Sequence, residues 1–291
     1  MSALRILLAG STGVVGSRLV PLLVAAGHHV TALTRRPERV AALRAAGAHP
    51  AVVDVRDAGA LAATVRAAAP DVVLHQLTDL AAADLSANSE LRVTGTRHLV
   101  DAALAAGARR IVAQSIAWAY AGGAEPADEG TPLDLDAPEP RAGTIRGIAA
   151  LEAAVSEAPE WVVLRYGMFY GPDTWFAPDG LRADDARAGR LVADGDVTSF
   201  LHVDDAAAAA VAALGWPSGA VNVCDDEPAP ARDWVPAFCA AVGAPPPAPA
   251  SGAPRRPWAR GESNRLAREQ LGWIPAHPSW RTGFSLAAAR W

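Results

Sequence analysis

Three glycines, Gly10, Gly13 and Gly16 in "LLAGSTGVVGSRLV", constrain this chain more than any other feature. They separate an apolar run, Arg5–Ala9, from an amphipathic stretch over 13–26. A glycine-rich turn between a strand and a helix lets the backbone approach a pyrophosphate, whose charge the helix N-terminus stabilises. The spacing is G-x-x-G-x-x-G, not the commoner G-x-G-x-x-G. Its position after the first strand is what gives it meaning, because a glycine trio elsewhere is only a turn.

The pattern then repeats. β-Branched runs at Arg5–Ala9, His29–Thr34, 51–54, 72–76, 110–114 and 161–166 alternate with Ala-rich stretches such as 90–106. Gly27 and Gly107 supply helix stops. This alternation predicts an α/β fold, a doubly wound parallel sheet of Rossmann type with helices on both faces. After Tyr166 it loosens, with Pro172 and Pro178 breaking the chain to about residue 195. "SFLHVDDAAAAAVAAL" returns to a strand end and a helix, and "AVNVCDDEP" reads as another short strand. Residues 243–258 are too Pro-rich for regular structure, and "NRLAREQLGWIP" reads as a short helix stopped by Gly272 and Pro275. The expected organisation is a dinucleotide-binding domain at 1–166 plus about 198–225. A small, discontinuous C-terminal substrate lobe would take about 167–197 plus 226–291.

Composition removes several alternatives. A net charge of −5 argues against nucleic-acid binding. No run approaches the roughly 18 apolar residues of a membrane helix. Residues 4–9 lead straight into a strand, so no leader and a cytoplasmic location are expected. Cys224 and Cys239 are too few for a disulfide framework or a thiolate metal site. His75 and His202 lack partners at ligand spacing, and no metal is expected. All 26 basic residues are Arg, so any mechanism that needs a Lys is closed.

The second strand ends in "TALTRRPE", with no acid before Glu38. NAD-preferring sites place a carboxylate there for the ribose 2′-hydroxyl, whereas guanidinium groups suit a 2′-phosphate. Arg35 and Arg36 therefore favour NADPH over NADH. The expected cofactor contacts are Gly10, Ser11, Thr12, Gly13, Val14, Val15 and Gly16 in the turn, Arg35 and Arg36, Asp54 closing the third strand with Val55 beyond it, and Gln76 closing the fourth with Leu77 beyond it.

Taken together, "GSTGVVG", "DVVLHQL", "VTGTRHLVDAALAAGARRIV", "LRYGMFYGP", "FLHVDDAAAA" and "LGWIP" resemble the extended short-chain dehydrogenase/reductase family, the NAD-dependent epimerase/dehydratase group. The resemblance covers nearly the whole chain in motif order. It implies a homodimer through two helices, here about 88–107 and 144–158. It also implies four catalytic positions, and each holds something else. The Asn position is Arg92, the Ser/Thr position Ile116 with Ser115 one place earlier, the Tyr position Thr144, and the Lys position Ile148. Tyr120 matches a tyrosine that lies near the site in the family. Ser115, Thr144 and Tyr120 are the remaining candidate hydroxyls.

In that family a phenol with an adjacent ammonium supplies the proton that an alkoxide needs after hydride transfer. Without the pair, a plain ketone would lose roughly 10²–10⁴ in rate. Isoleucines at two of four positions make an apolar wall, with Trp118, Trp175, Phe176 and Trp258 expected to line the substrate beside Ile116 and Ile148. A looser resemblance, resting on composition and the vacated positions, is to actinobacterial aromatic-polyketide ketoreductases of angucyclinone type. The sequence thus favours an NADPH-dependent ketoreductase of antibiotic biosynthesis, an oxidoreductase acting on a phenolic aromatic polyketide ketone that assists its own reduction. Two alternatives stay open: an NADP-binding pseudoenzyme or sensor, and an epimerase or dehydratase on another substrate.

Overall fold

A computed structural model describes residues 3–78, 85–248, 252 and 254–284. In chain order the elements are β1 (Arg5–Ala9), α1 (Gly16–Ala25), β2 (His29–Thr34), α2 (Val40–Ala45), β3 (His49–Val52), α3 (Ala58–Ala68), β4 (Val72–His75), α4 (Leu85–Glu90) and α5 (Thr96–Ala105). There follow β5 (Arg110–Ile116), α6 (Arg141–Val155), β6 (Glu160–Tyr166), β7 (Met168–Tyr170), α7 (Leu181–Arg187), β8 (Val197–Thr198), β9 (Phe200–His202), α8 (Val203–Ala212), β10 (Gly219–Val223), β11 (Ala229–Pro230) and α9 (Ala231–Ala241).

Seven strands form one sheet in the order β10-β6-β5-β4-β1-β2-β3. The pairings from β3 through β5 are parallel. Strand order reverses direction between β1 and β4, the switch point where doubly wound sheets bind ligands. β1 explains why the sequence read as a continuous apolar run. Leu7 and Ala9 join a core with Leu61, Val65, Leu99 and Leu151, while Ile6 and Leu8 are buried on the opposite face.

Three elements differ most from the sequence expectation. β3 begins at His49 and ends at Val52, and includes Pro50 paired with Ala32. Proline lacks a ladder donor but is tolerated in an edge strand, which β3 is. Asp54 therefore lies beyond the strand, not at its end. The helix expected at 90–106 is split into α4, a single π-helical turn at Leu91–Gly95, and α5. At Gly95 the helix passes close to Val55, whose Cγ2 would stand 3.2 Å from an added Cβ. The C-terminal helix is likewise one π-helical turn, Leu266–Gln270.

The chain divides into two compact units. The first comprises Met1–Ser115, Leu135–Leu164 and Ala207–Ala220; the second comprises Ile116–Asp134, Arg165–Ala206 and Val221–Trp291. Segments 116–134 and 198–206, assigned from sequence to the dinucleotide domain, thus belong to the second unit. In 116–134 local pairing accounts for this: Ala127 N–H donates to the Gly261 carbonyl, and Ser263 N–H to the Ala127 carbonyl, both at 2.8 Å. The second unit has its own aromatic core of Tyr170, Phe176, Phe200, Trp234, Phe238, Trp280 and Phe284. Cys224 and Cys239 are buried free thiols.

Candidate active site

The glycine turn lies at the carboxyl end of β1. Gly10 has φ +88°, and a Cβ there would fall 2.3 Å from the Gln76 carbonyl oxygen. A Cβ on Gly16 would fall 2.1 Å from the Gly10 oxygen. Both glycines are therefore required by backbone packing. Gly13 is exposed, so its bare face is the one a phosphate can approach. Ser11 donates its hydroxyl to the Leu33 carbonyl at 2.6 Å, which ties the turn to β2. Among the described residues no side chain caps α1. The Ser17 and Arg18 N–H groups donate to the Gly13 and Val15 carbonyls, and an anion at the turn would meet the positive end of the helix dipole.

Arg35 and Arg36 are both exposed. Arg36 reaches back over the turn, its Nη2 donating to Thr12 Oγ1 at 3.2 Å. Asp54 Oδ1 accepts from Arg56 N–H at 2.9 Å, Val55 is buried, and Leu77 N–H donates to His75 Nδ1 at 3.3 Å. Gln76 is buried, and among the described residues neither of its side-chain amide atoms is hydrogen-bonded. An orphaned buried amide beside a glycine turn with an uncapped helix fits a nicotinamide dinucleotide. Gly10 through Gly16, Arg36 and Gln76 are the residues that would hold it.

Three of the four positions where the family resemblance implies catalytic groups, Arg92, Thr144 and Ile148, lie in the first unit. Thr144 and Ile148 stand one turn apart on α6, both buried. Ser115 Oγ donates to Glu152 Oε1 at 2.7 Å, so its proton is committed to α6. Arg92, on the π-helical turn, is only 6% exposed. Burial holds its pKa down to about 10, against the opposing pull of Glu152. His75 is fully enclosed. Its Nδ1 accepts the Leu77 amide, so Nε2 carries the proton and meets Thr96 Oγ1 at 2.9 Å. Burial, offset in part by its backbone hydrogen bond, and the Arg92 charge press its pKa down to about 4 and keep it neutral.

Other sequence-predicted residues fall in the second unit. The Tyr120 hydroxyl accepts from Arg165 Nη1 at 2.9 Å and donates to Asn222 Oδ1 at 2.6 Å. That buried network gives the phenol a structural task. Phe176, expected to line substrate, is packed in the aromatic core, 5.1 Å from Phe238 and 5.3 Å from Phe200. Trp175 packs against the same core, half-buried. Trp118 and Trp258 come together with ring centroids 6.3 Å apart. Ile116 is half-buried at the end of β5. Sequence reasoning missed Glu152 as a hydrogen-bond partner, because its contact with Ser115 is made only by folding. It also missed a cavity of about 600 Å³ in the second unit, lined in part by Asp194, Arg232 and Arg255. Among the described residues no group of His, Cys, Asp and Glu is placed to hold a metal, and no helix is long and apolar enough to cross a membrane.

Sheet order, switch point and glycine turn define a nicotinamide-dinucleotide enzyme of Rossmann type. The chain belongs to the NAD dependent epimerase/dehydratase family, whose family model matches residues 6–224. It is 48% identical, over 305 aligned residues, to a 3-diazoavenalumate denitrifying reductase from a Streptomyces species; the match covers 96% of this chain and 99% of that protein. Among solved structures it is similar to the Thermus thermophilus UDP-glucose 4-epimerase complexed with NAD, with TM-score 0.75, 26% identity, and 98% and 97% of the two chains covered. The fold is shared with WbmG of Bordetella bronchiseptica, at TM-score 0.78, 24% identity, and 99% and 94% coverage. The chain is an oxidoreductase of this family.

Proposed function

We propose that this protein is an NADPH-dependent reductase that removes a diazo group from a phenolic aromatic compound, releasing dinitrogen. One observation carries the reading: the dinucleotide turn is intact, while each group that would protonate an alkoxide has been replaced or engaged elsewhere. The Tyr and Lys positions hold the buried side chains of Thr144 and Ile148, and Ser115 is bonded to Glu152. A substrate suited to such a site must take up hydride without creating a strongly basic oxygen. A quinone diazide does so, because the incoming electrons settle on a phenolate oxygen. When bound, the nicotinamide supplies the hydride. Per turnover one hydride and one proton enter, the C–N bond breaks, and one dinitrogen and one phenol leave. The relative named as a reductase of a diazo compound supports this choice. The two exposed arginines after β2 support NADPH over NADH.

A second reading is the ketone expected from the sequence, with a neighbouring phenol as internal acid. Thr144 and Ile148 in place of the Tyr and Lys serve it equally, and the reductase relative favours the diazo group. The test is NADPH absorbance loss and dinitrogen release with an ortho-quinone diazide, beside a matched ortho-hydroxyaryl ketone. Turnover of the diazide alone is expected. Turnover of the ketone alone would move the assignment to the second reading, and turnover of neither would sink both.

A further inference from the structure

Arg92 sits where a guanidinium is costly. It is nine-tenths buried, and among the described residues it makes no hydrogen bond and no ion pair within 4.0 Å. The carboxylate acting on it is that of Glu152, which already accepts the Ser115 hydroxyl. The other titratable neighbour, His75, is neutral, with both ring nitrogens engaged. Thr144 and Ile148 lie two turns and one turn before Glu152 on the same face of α6. α4 meets that helix closely enough that a Cβ on Gly147 would stand 3.3 Å from Ser89 Cα. The π-helical turn that carries Arg92 packs on α6 as well. A guanidinium so largely buried, with no acceptor among the described residues, leaves its donors to solvent or to a ligand.

We infer that Arg92 is an anion-binding residue, which with the Thr144–Ile148 face of α6 forms a subsite for the phenolate oxygen of the substrate. This rests on the reading of the protein as a reductase of phenolic compounds and names the residue that would hold the phenolic end. A guanidinium presents its donors in a planar fork and stays charged at any working pH, so it stabilises the oxygen on which charge accumulates. It needs no proton transfer to do so. The charge that the family places on a lysine is thus supplied from a different helix and directed at the substrate oxygen.

The probe is 4-nitrophenol, whose phenolate absorbs in the visible, added to the protein saturated with NADP⁺ so that no hydride can move. Wild type is expected to bind the phenolate and to lower the pH at which the bound phenol ionises. 4-Nitroanisole, which cannot ionise, is expected to bind at least about tenfold more weakly. Arg92→Gln is expected to weaken nitrophenolate by a similar factor and leave nitroanisole unchanged, while Arg92→Lys retains part of the preference. Equal binding of the two probes to wild type would overturn the proposal without any variant. So would nitrophenolate binding by Arg92→Gln that matches wild type. If Arg92-dependent phenolate binding is found while no diazide is reduced, the functional reading fails and the subsite stands.

Discussion

Ser115 and Glu152 are joined by a 2.7 Å hydrogen bond from hydroxyl to carboxylate, which fastens the end of β5 to the middle of α6. A hydroxyl held this way positions a helix. Ser115→Ala is expected to cost about 1.5–3 kcal/mol of stability, the ordinary value for a bond to a charged group. Reduction should slow less than about tenfold, and Thr144→Ala should behave alike. Thermal melts and single-turnover rates measure the two effects separately. A rate loss beyond about a thousandfold from either variant would identify an acid that the proposed chemistry does not need.

Arg36 lies over the glycine turn through Thr12. Arg36→Ala, alone or with Arg35→Ala, is expected to weaken NADPH by roughly 10–100-fold, the range of a charge-assisted contact to phosphate. NADH affinity should barely change. Dissociation constants for both cofactors, from quenching of tryptophan fluorescence, make the comparison. Equal losses would remove the assignment to a 2′-phosphate.

Tyr120→Phe removes one oxygen and strands two partners, an Arg165 donor and the Asn222 acceptor. The Arg165 guanidinium also lies over the ring, 4.8 Å from its centroid, and that contact survives the change. The expected cost is about 2–3 kcal/mol in stability, because groups left unpaired in a buried network are penalised in full. Denaturant titration gives the stability and steady-state kinetics the rate. A large fall in kcat with unchanged stability would instead make the phenol part of the chemistry.

Asp225 is buried, and its pKa is pushed up to about 8, chiefly by burial and further by Glu227 and Asp226. The backbone N–H groups of Glu227 and Trp280, which donate to it, oppose that rise without cancelling it. A carboxyl whose pKa is higher folded than unfolded favours folding most below its ordinary range, near pH 4. Its contribution is then lost as pH rises through about 8. Tm measured across pH 4–8 should fall with pH in wild type, and the slope should flatten in Asp225→Asn. An identical slope in the variant would show that other groups set the dependence.

What the sequence revealed and concealed divides along physical lines. β1 and β2 were read with correct ends because the inner residues of central parallel strands, Ile6–Ala9 and Val30–Thr34 apart from Thr31, are buried, and the strands stop at Gly10 and Arg35. β3 was misplaced because Pro50 looks like a strand breaker until the strand is known to be an edge. The glycine turn was legible because its function depends on a local spacing. Arg92 was visible as a substitution, but whether it faced solvent or the interior depends on how the π-helical turn packs on α6, which no local pattern encodes. Phe176 shows the same limit in the second unit. An aromatic in an irregular segment has no periodicity to show which way it faces, and here it fills the core.

A π-helical turn accommodates one residue more than the α-helical turn it replaces. The helix on one side of it is rotated against the other by about one residue's worth of turn, roughly 100°. Here the slip falls between α4, which meets Gly147 at Ser89, and α5, whose Thr96 meets His75. Arg92 lies inside it, buried, while the adjacent Val93 is 48% exposed. A chain one residue shorter at this point would keep one of those two contacts in phase and lose the other, and Arg92 would swing off its line. The placement of this charge is therefore written in the length of the chain as well as in the identity of its side chain. A single-codon deletion would switch it off as completely as any substitution.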